Sequence, residues 1–295
     1  MHADEIPTSA ELVRRLLAAQ FPEWAELPVE PVASFGTDHA LYRVGAELVA
    51  RLPRREVNVA SLEKERRWLP KLAPLLPLSV PVPLADGEPG DGYPFTWSIY
   101  AWLDGESADR EPAVDATLDL AGFIVALQGI DARDGPPPGA HNSFRGEPLE
   151  RRDASTRAAI AALGDAIDSE AATAVWEEAR AAPAWQREPL WIHGDLDARN
   201  LLVVDGRLTG VVDFGCLATG DPACDVAVAW KMLDARGRDV FRAVLDVDDA
   251  TWTRARGWVM SQAVGALSYY TLETNRALFT EAERWLDEVL TTARR

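Results

Sequence analysis

The chain has 295 residues, 47% of them hydrophobic and 26% charged, so it is long enough to bury the cores of two lobes. Its formal net charge of −17 argues against a nucleic-acid-binding protein, because a phosphate backbone attracts basic surfaces. The first residues are polar and acidic and no stretch approaches a membrane-spanning length, so we predict a cytoplasmic protein without a signal peptide or membrane segment.

The first third of the chain has the pattern of one helix followed by an antiparallel sheet. A capping box at Thr8 and Glu11 predicts the start of the helix. Short apolar runs then predict strands over 29–34, 40–44 and 47–52. A helix over 57–69 and an apolar, aromatic strand over 93–102 complete this region.

Beyond residue 102 the apolar spacing is mostly that of helices. It predicts helices over 114–127, 153–163, 170–181, 225–233, 239–245, 251–270 and 280–292. A sheet-rich first part and a helical second part together predict an α+β fold.

The most informative stretch covers residues 191–230. Asp195 precedes Asn200 by five residues, and Asp213 ends the second of two apolar runs. Asp205-Gly206 between these runs is a hairpin turn signal, so the polar residues flanking the hairpin should meet at one end. Oxygen ligands from Asn200 and Asp213 suit Mg²⁺ bridging nucleotide phosphates, and an ionised Asp195 nearby could accept a proton from a hydroxyl.

Two other interpretations compete with this one. His193 and the nearby carboxylates could form a hydrolytic metal centre, but the spacing matches no zinc motif and no second histidine lies nearby. The aspartates could also be turn or cap residues, because Asp is favoured in both places. The coupled spacing of the whole segment favours the metal and phosphate interpretation.

The same segment resembles the catalytic segment of the aminoglycoside phosphotransferase family. These protein-kinase-like enzymes act on small molecules and include macrolide phosphotransferases and choline-kinase-like enzymes. The matching motifs are H-G-D-L-x-x-x-N at 193–200, D-F-G at 213–215 and G-D-P-A-C-D at 220–225. The resemblance implies a bilobal kinase-like fold, with an N-lobe of residues 1–102 and a larger, mainly helical C-lobe of residues 103–295.

The resemblance also assigns roles to individual residues in the motifs. Asp195 becomes the catalytic base, and Asn200 and Asp213 become the Mg²⁺ ligands. His193 and Asp225 become supports of the catalytic loop. The phosphate donor implied is ATP or GTP, and the sequence does not choose between them.

In the N-lobe the resemblance implies a nucleotide site. The third strand has no lysine, and Arg51 stands where the phosphate-binding cation is expected. Glu65 is the best match to its acidic partner, and Glu63 is the competitor. A phosphate loop is expected around Gly36 and Thr37, where a single glycine is also compatible with an ordinary hairpin loop. The strand with Ser98, Tyr100 and Trp102 is expected to bind the nucleotide base through its backbone.

The acceptor is expected to lie between the catalytic loop and the C-terminal helices. Candidate lining residues are Trp230, Asp234, Trp258, Tyr269, Tyr270, Glu273 and Asn275. Aromatic residues at helical spacing are more often core than pocket, so these assignments compete with simple packing. The acidic composition suits a cationic, aminoglycoside-like acceptor. The competing interpretation is that the acidic residues only keep the protein soluble.

Other functions are also compatible with the sequence. A macrolide or another hydroxylated metabolite is a second acceptor class, and a catalytically silent nucleotide-binding scaffold is a second class of function. Asp197 departs from the family pattern, because many relatives carry a neutral or basic residue two positions after the base. The oligomeric state is not predicted.

Overall fold

The computed structural model describes residues 5–32, 38–110 and 115–293 and divides the chain into two compact units. The first unit comprises Met1–Ala113 and Arg199–Leu217, and the second comprises Val114–Ala198 and Ala218–Arg295. Antiparallel sheets dominate the first and helices the second, which confirms the predicted α+β class. The lobe boundary at residue 102 stays a prediction.

A five-stranded antiparallel sheet forms the base of the first unit. Its strands are β1 (Val29–Pro31), β2 (His39–Val44), β3 (Leu48–Pro53), β4 (Pro83–Gly87) and β5 (Trp97–Ala101). Their order across the sheet is β1-β2-β3-β5-β4, so β3 is flanked by β2 and β5. The strand predicted over 93–102 begins only at Trp97, after Pro94, which has no N–H for a ladder.

Two helices accompany this sheet, α1 (Ala10–Gln20) and α2 (Val59–Leu72). Leu12, Val13, Leu16 and Leu17 of α1 are buried in a core shared with the strands. The Ser9 side chain, and not that of Thr8 as predicted, accepts the capping hydrogen bond, from the Leu12 N–H at 3.2 Å. Thr8 instead bonds its hydroxyl to that of Tyr42 at 3.0 Å.

A second antiparallel sheet explains why residues 199–217 belong to the first unit. Its strands are β6 (Glu106–Ser107), β8 (Leu201–Val204) and β9 (Arg207–Val211), in the order β6-β8-β9. The N–H of Ser79 also donates to the Thr209 carbonyl at 2.9 Å, and the Val211 N–H donates to the Ser79 carbonyl at 2.9 Å. The hairpin predicted around Asp205-Gly206 is present as β8 and β9.

The second unit is mainly helical. Its helices are α3 (Thr117–Gln128), α4 (Asp153–Leu163), α5 (Ser169–Ala181), α6 (Ala223–Val226), α7 (Val228–Met232), α8 (Ala235–Leu245), α9 (Asp249–Tyr269) and α10 (Leu272–Ala293). A short antiparallel pair joins β7 (Leu190–Ile192) to β10 (Ala218–Gly220). The single helix predicted over 225–233 is divided into α6 and α7, and α10 begins earlier than predicted, with a kink at Asn275.

Large aromatic residues fill the core of the second unit. Phe123, Trp176, Trp191, Trp230, Phe241 and Trp258 are almost completely buried. Across the described part of the chain, none of the helices combines the length and hydrophobicity required to span a bilayer.

Candidate active site

Arg51 is the cation at the centre of a buried polar cluster in the first unit. It lies on β3 and is 7% exposed. Its Nη1 donates to Glu65 Oε2 at 2.6 Å, and its Nη2 donates to Asp213 Oδ1 at 3.1 Å. The structure thus brings together the predicted strand cation, its partner on α2 and one predicted metal ligand, while Glu63 is exposed.

Burial and charge act in opposite directions on this ion pair. Burial alone would lower the pKa of Arg51, but the carboxylates of Glu65 and Asp213 raise it above its usual value. Burial raises the pKa of Glu65, and the Arg51 charge opposes that shift. The Tyr100 hydroxyl donates a further hydrogen bond to Glu65 Oε2 at 3.1 Å. The guanidinium therefore keeps its charge in the interior.

His39 also contacts Arg51, which the sequence analysis did not anticipate. It begins β2 and is 6% exposed, with Nδ1 3.3 Å from Arg51 Nη2 and Nε2 3.5 Å from Ser61 Oγ. Burial, helped by the charge of Arg51, lowers the pKa of His39 well below its usual value. The imidazole is therefore neutral at pH 7.

The two predicted metal ligands flank one end of the β8–β9 hairpin. Leu201 pairs with Val211, and the Val212 N–H donates to the Asn200 carbonyl at 2.9 Å. Asp213 has left-handed backbone angles, φ 61° and ψ 67°, which are uncommon outside glycine and concentrate at functional sites. One amide and one carboxylate fit Mg²⁺, which usually takes one or two protein oxygens beside waters and phosphates.

A lysine on α2 is attached to the segment after Asp213. Lys64 Nζ donates to the Gly215 carbonyl at 2.7 Å. Burial lowers the pKa of Lys64 to about 8. This contact joins α2, which carries Glu65, to the D-F-G residues, and only the folded chain reveals it.

The side chains of Ser98 and Tyr100, two of the predicted base-binding residues, form hydrogen bonds within the first unit. Ser98 Oγ accepts from Arg66 Nε at 2.6 Å and donates to Asp86 Oδ1 at 3.0 Å, and Tyr100 bonds to Glu65. The backbone of Ser98 lies between β3 and β4 in the sheet. Base recognition at these two positions stays a prediction.

Trp102 follows β5 and belongs to the same predicted segment. Its N–H donates to the Glu47 carbonyl at 2.7 Å, and the Arg43 guanidinium lies 4.3 Å from its ring centroid. Gly36 and Thr37, the predicted phosphate loop, lie outside the described residues.

The predicted catalytic loop, which contains His193 and Asp195, is held by Asp225 in the second unit. Its Oδ2 accepts from the His193 N–H and its Oδ1 from the Gly194 N–H, each at 2.7 Å. Burial raises the pKa of Asp225, and the neighbouring His193 and the two N–H groups oppose that shift. His193 Nδ1 in turn accepts from the Asp195 N–H at 3.2 Å. Both residues predicted to support the loop thus bond directly to its backbone.

Asp195 is paired with a cation that the sequence analysis missed. Arg145 Nη2 donates to Asp195 Oδ1 at 3.2 Å, with the two side chains 15% and 35% exposed. Arg145 lies in the irregular segment between α3 and α4, where no motif or periodicity points to it. The carboxylate of Asp195 thus remains partly exposed.

Asp197, the departure from the family pattern, is 2% exposed. Lys231 is 3% exposed and donates from Nζ to the carbonyl of Leu196, which precedes Asp197. The Asp197 side chain is thus buried in the second unit, and the Lys231 amine is bonded to the carbonyl of the preceding residue.

The predicted acceptor residues fall into three groups. Trp230 and Trp258 are core residues with 2% and 0% exposure, and Trp230 packs on Trp252 at 4.4 Å between ring centroids. Asp234 caps α8 by accepting from the Gly237 N–H at 2.7 Å. The remaining candidates, Tyr269, Tyr270, Glu273 and Asn275, lie at the surface where α9 ends and α10 begins.

Comparison with known proteins adds two kinds of similarity. The model of a family described as "Phosphotransferase enzyme family" matches residues 29–258. An aminoglycoside 3'-phosphotransferase from Escherichia coli is 35% identical over 60 residues, which are 20% of this chain and 22% of that protein. The chain therefore matches only about a fifth of the length of this relative.

Solved structures share the fold over nearly the whole chain. The GDP complex of wild-type aminoglycoside 2'-phosphotransferase-IIIa superposes with a TM-score of 0.73 and 20% identity, covering 97% of this chain and 100% of that one. The apoenzyme of macrolide 2'-phosphotransferase MphH from Brachybacterium faecium gives a TM-score of 0.62 and 22% identity, covering 95% and 98%. At these identities the similarity is one of fold.

Proposed function

Because this chain belongs to the phosphotransferase enzyme family, we propose that it transfers the γ-phosphoryl group of a nucleotide to a hydroxyl group of a small molecule. The observation that carries the proposal is the bridge that Arg51 makes between Glu65 and Asp213. Phosphoryl transfer depends on positioned cations that stabilise charge on the transferring group. A buried guanidinium held by two carboxylates is such a cation.

Each motif residue has a role in this reaction. Asp195 is the base: it aligns the acceptor hydroxyl and takes up its proton as the bond to the γ-phosphorus forms and the nucleoside diphosphate leaves. Asp225 and His193 hold the loop that presents Asp195, through the hydrogen bonds to its backbone. Arg51 contacts phosphate oxygens of the nucleotide, and Glu65 keeps its guanidinium in place.

Asn200 and Asp213 would hold Mg²⁺. When bound, the ion would supply positive charge that offsets the negative charge of the nucleotide phosphates. Asp213 is 47% exposed, so its carboxylate can reach an ion from solvent. The donor is ATP or GTP, and Trp102, Ser98 and Tyr100 mark the segment where the base is expected.

We propose a cationic, aminoglycoside-like acceptor first. Relatives named aminoglycoside phosphotransferases and the net charge of −17 support this choice. A macrolide is the second candidate, supported by the similarity to a macrolide 2'-phosphotransferase. Tyr270 and Glu273 remain candidate acceptor contacts because both retain exposed surface.

Two further expectations accompany the function. We propose that the lobe boundary of the kinase-like fold follows β5, near residue 102. We also expect the protein to act in the cytoplasm, where nucleoside triphosphates are available.

A nucleotide-consumption screen tests the proposal. The purified chain is incubated with Mg²⁺ and either ATP or GTP, together with aminoglycosides, macrolides, choline-like amines or sugars. We expect acceptor-dependent consumption, its loss in Arg51→Ala, and its retention in Arg14→Ala, which removes an exposed arginine of the first unit. Nucleotide binding without consumption for any acceptor would favour the silent scaffold, and absence of binding would refute the proposal.

A further inference from the structure

Arg51 requires a different set of hydrogen-bond acceptors from the lysine that kinases usually have at this position. A guanidinium has five N–H donors in a fixed plane, whereas an ammonium has three on one nitrogen. Arg51 is buried, so its donors need acceptors inside the protein or on a ligand. Glu65 occupies the Nη1 end, and His39 and Asp213 share the Nη2 end.

The two acceptors at the Nη2 end, His39 and Asp213, have different roles in the proposed function. Asp213 would also hold Mg²⁺, so its carboxylate would be shared with the ion once a nucleotide is bound. His39 is not among the proposed ligands of the ion. Nδ1 of His39, 3.3 Å from Nη2, is therefore the acceptor at this end that would remain available to the guanidinium when Asp213 holds the ion.

The surroundings of His39 determine which of its nitrogens accepts. The Ser61 hydroxyl donates its single proton to the Asn58 carbonyl at 2.8 Å, so Ser61 Oγ can only accept from the imidazole. That contact joins Ser61 Oγ to His39 Nε2 at 3.5 Å, and Arg51 Nη2, which has no acceptor capacity, can only donate to Nδ1. The proton is thus placed on Nε2, and Nδ1 presents a lone pair to Arg51.

A neutral acceptor has an advantage over a third carboxylate here. Glu65 and Asp213 already place two carboxylates on the guanidinium, and a third anion would reduce the attraction of Arg51 for phosphate. An imidazole orients the guanidinium and leaves its charge unchanged. We propose, resting on the proposed function, that His39 is a positioning residue that holds the Arg51 guanidinium in place for the nucleotide phosphates.

Replacements of His39 in the full chain separate positioning from packing. The affinity for Mg²⁺ with GDP or ADP is measured by calorimetry, and the melting temperature is recorded for every variant. We expect His39→Leu to weaken binding about tenfold or more, as for a lost hydrogen bond to a charged group. His39→Asn should recover most of this loss, because its Oδ1 stands one bond from Cγ like Nδ1 of histidine.

Two controls make the comparison specific. Leu52→Val removes buried volume from β3 without touching the cluster, so it should lower the melting temperature and leave nucleotide affinity unchanged. In an Arg51→Lys background, His39→Leu should lower the nucleotide affinity by less than about twofold. An ammonium bonded to Glu65 does not depend on the imidazole for its orientation. The proposal would be overturned if His39→Leu lowered the nucleotide affinity equally in the wild-type and Arg51→Lys proteins. Equal losses of affinity in His39→Asn and His39→Leu would overturn it as well.

A measurement without nucleotide distinguishes failure of this inference from failure of the proposed function. Nitrogen-15 NMR of the arginine side chains reports rotation of the Arg51 guanidinium in the free protein. We expect restricted rotation in the wild type and in His39→Asn, and faster rotation in His39→Leu. A wild type that binds neither nucleotide would refute the function, and unchanged rotation in His39→Leu would refute the role of His39.

Discussion

Arg145 and Asp195 form an ion pair in the second unit, with Nη2 3.2 Å from Oδ1, so a cation fifty residues upstream is bound to the proposed base. The Arg145 guanidinium lies 5.8 Å from the ring centroid of the buried Trp258, and that of Arg152 lies 5.0 Å from the same centroid. Burial and the charge of Arg145 lower the pKa of Arg152 to about 10. Because Arg145 donates to one oxygen of the Asp195 carboxylate, we expect it to orient that side chain, and phosphoryl transfer depends strongly on alignment.

Replacing Arg145 should therefore slow turnover. We expect Arg145→Met to reduce kcat by about 10- to 100-fold, the value of a hydrogen bond between charged groups, and Arg145→Lys to recover part of it. The measurement is steady-state kinetics with the identified acceptor, alongside nucleotide titration. Arg151→Met is the matched control, because Arg151 is exposed and pairs with Glu147. Full turnover in Arg145→Met would show that Asp195 needs no such partner.

Asp195 itself should be required for chemistry and dispensable for folding. Asp195→Asn keeps the shape and loses the charge and the basic lone pair, so we expect kcat to fall by roughly 10²–10⁴. Nucleotide affinity and the melting temperature should change little, because the side chain is 35% exposed and outside the packed core. Near-normal turnover in the folded variant would mean that the base lies elsewhere.

Asp225 should contribute to stability as well as activity. Asn at this position offers one acceptor for two buried N–H groups, so we expect Asp225→Asn to lower the free energy of unfolding by about 1–3 kcal/mol. Asp234→Asn makes the matched exchange at a helix cap, where Asn serves as well as Asp, and should be nearly neutral. Urea denaturation of both variants measures the difference. Equal stabilities would contradict the loop-holding role.

The buried His39 should make stability depend on pH. Its pKa is lowered by folding, so below its ordinary value of 6.5 the unfolded chain takes up a proton that the folded chain does not. This contribution to stability is fully present above pH 6.5 and is lost as the pH falls below it. Urea denaturation between about pH 7.5 and about pH 5.5 should show a steeper decline for the wild type than for His39→Leu. Parallel curves would rule out a neutral buried imidazole.

Local patterns were sufficient to predict much of the fold. The helix α4 begins and ends at the predicted residues, and the hairpin of β8 and β9 forms around Asp205-Gly206, because turn chemistry and apolar spacing act over a few residues. The division of the predicted helix over 225–233 was not predictable in this way. Both halves are almost entirely buried, and tertiary packing decides such a break.

The candidate site shows the same distinction between local and long-range information. The spacing from His193 to Asp225 determined which residues are candidates for base, metal ligands and loop support, because these lie within one continuous stretch of chain. Only the tertiary structure decided that Arg51 contacts Asp213, that His39 contacts Arg51 and that Arg145 pairs with Asp195. These partners are separated in sequence by 162, 12 and 50 residues, and no residue pattern encodes a contact that packing alone creates.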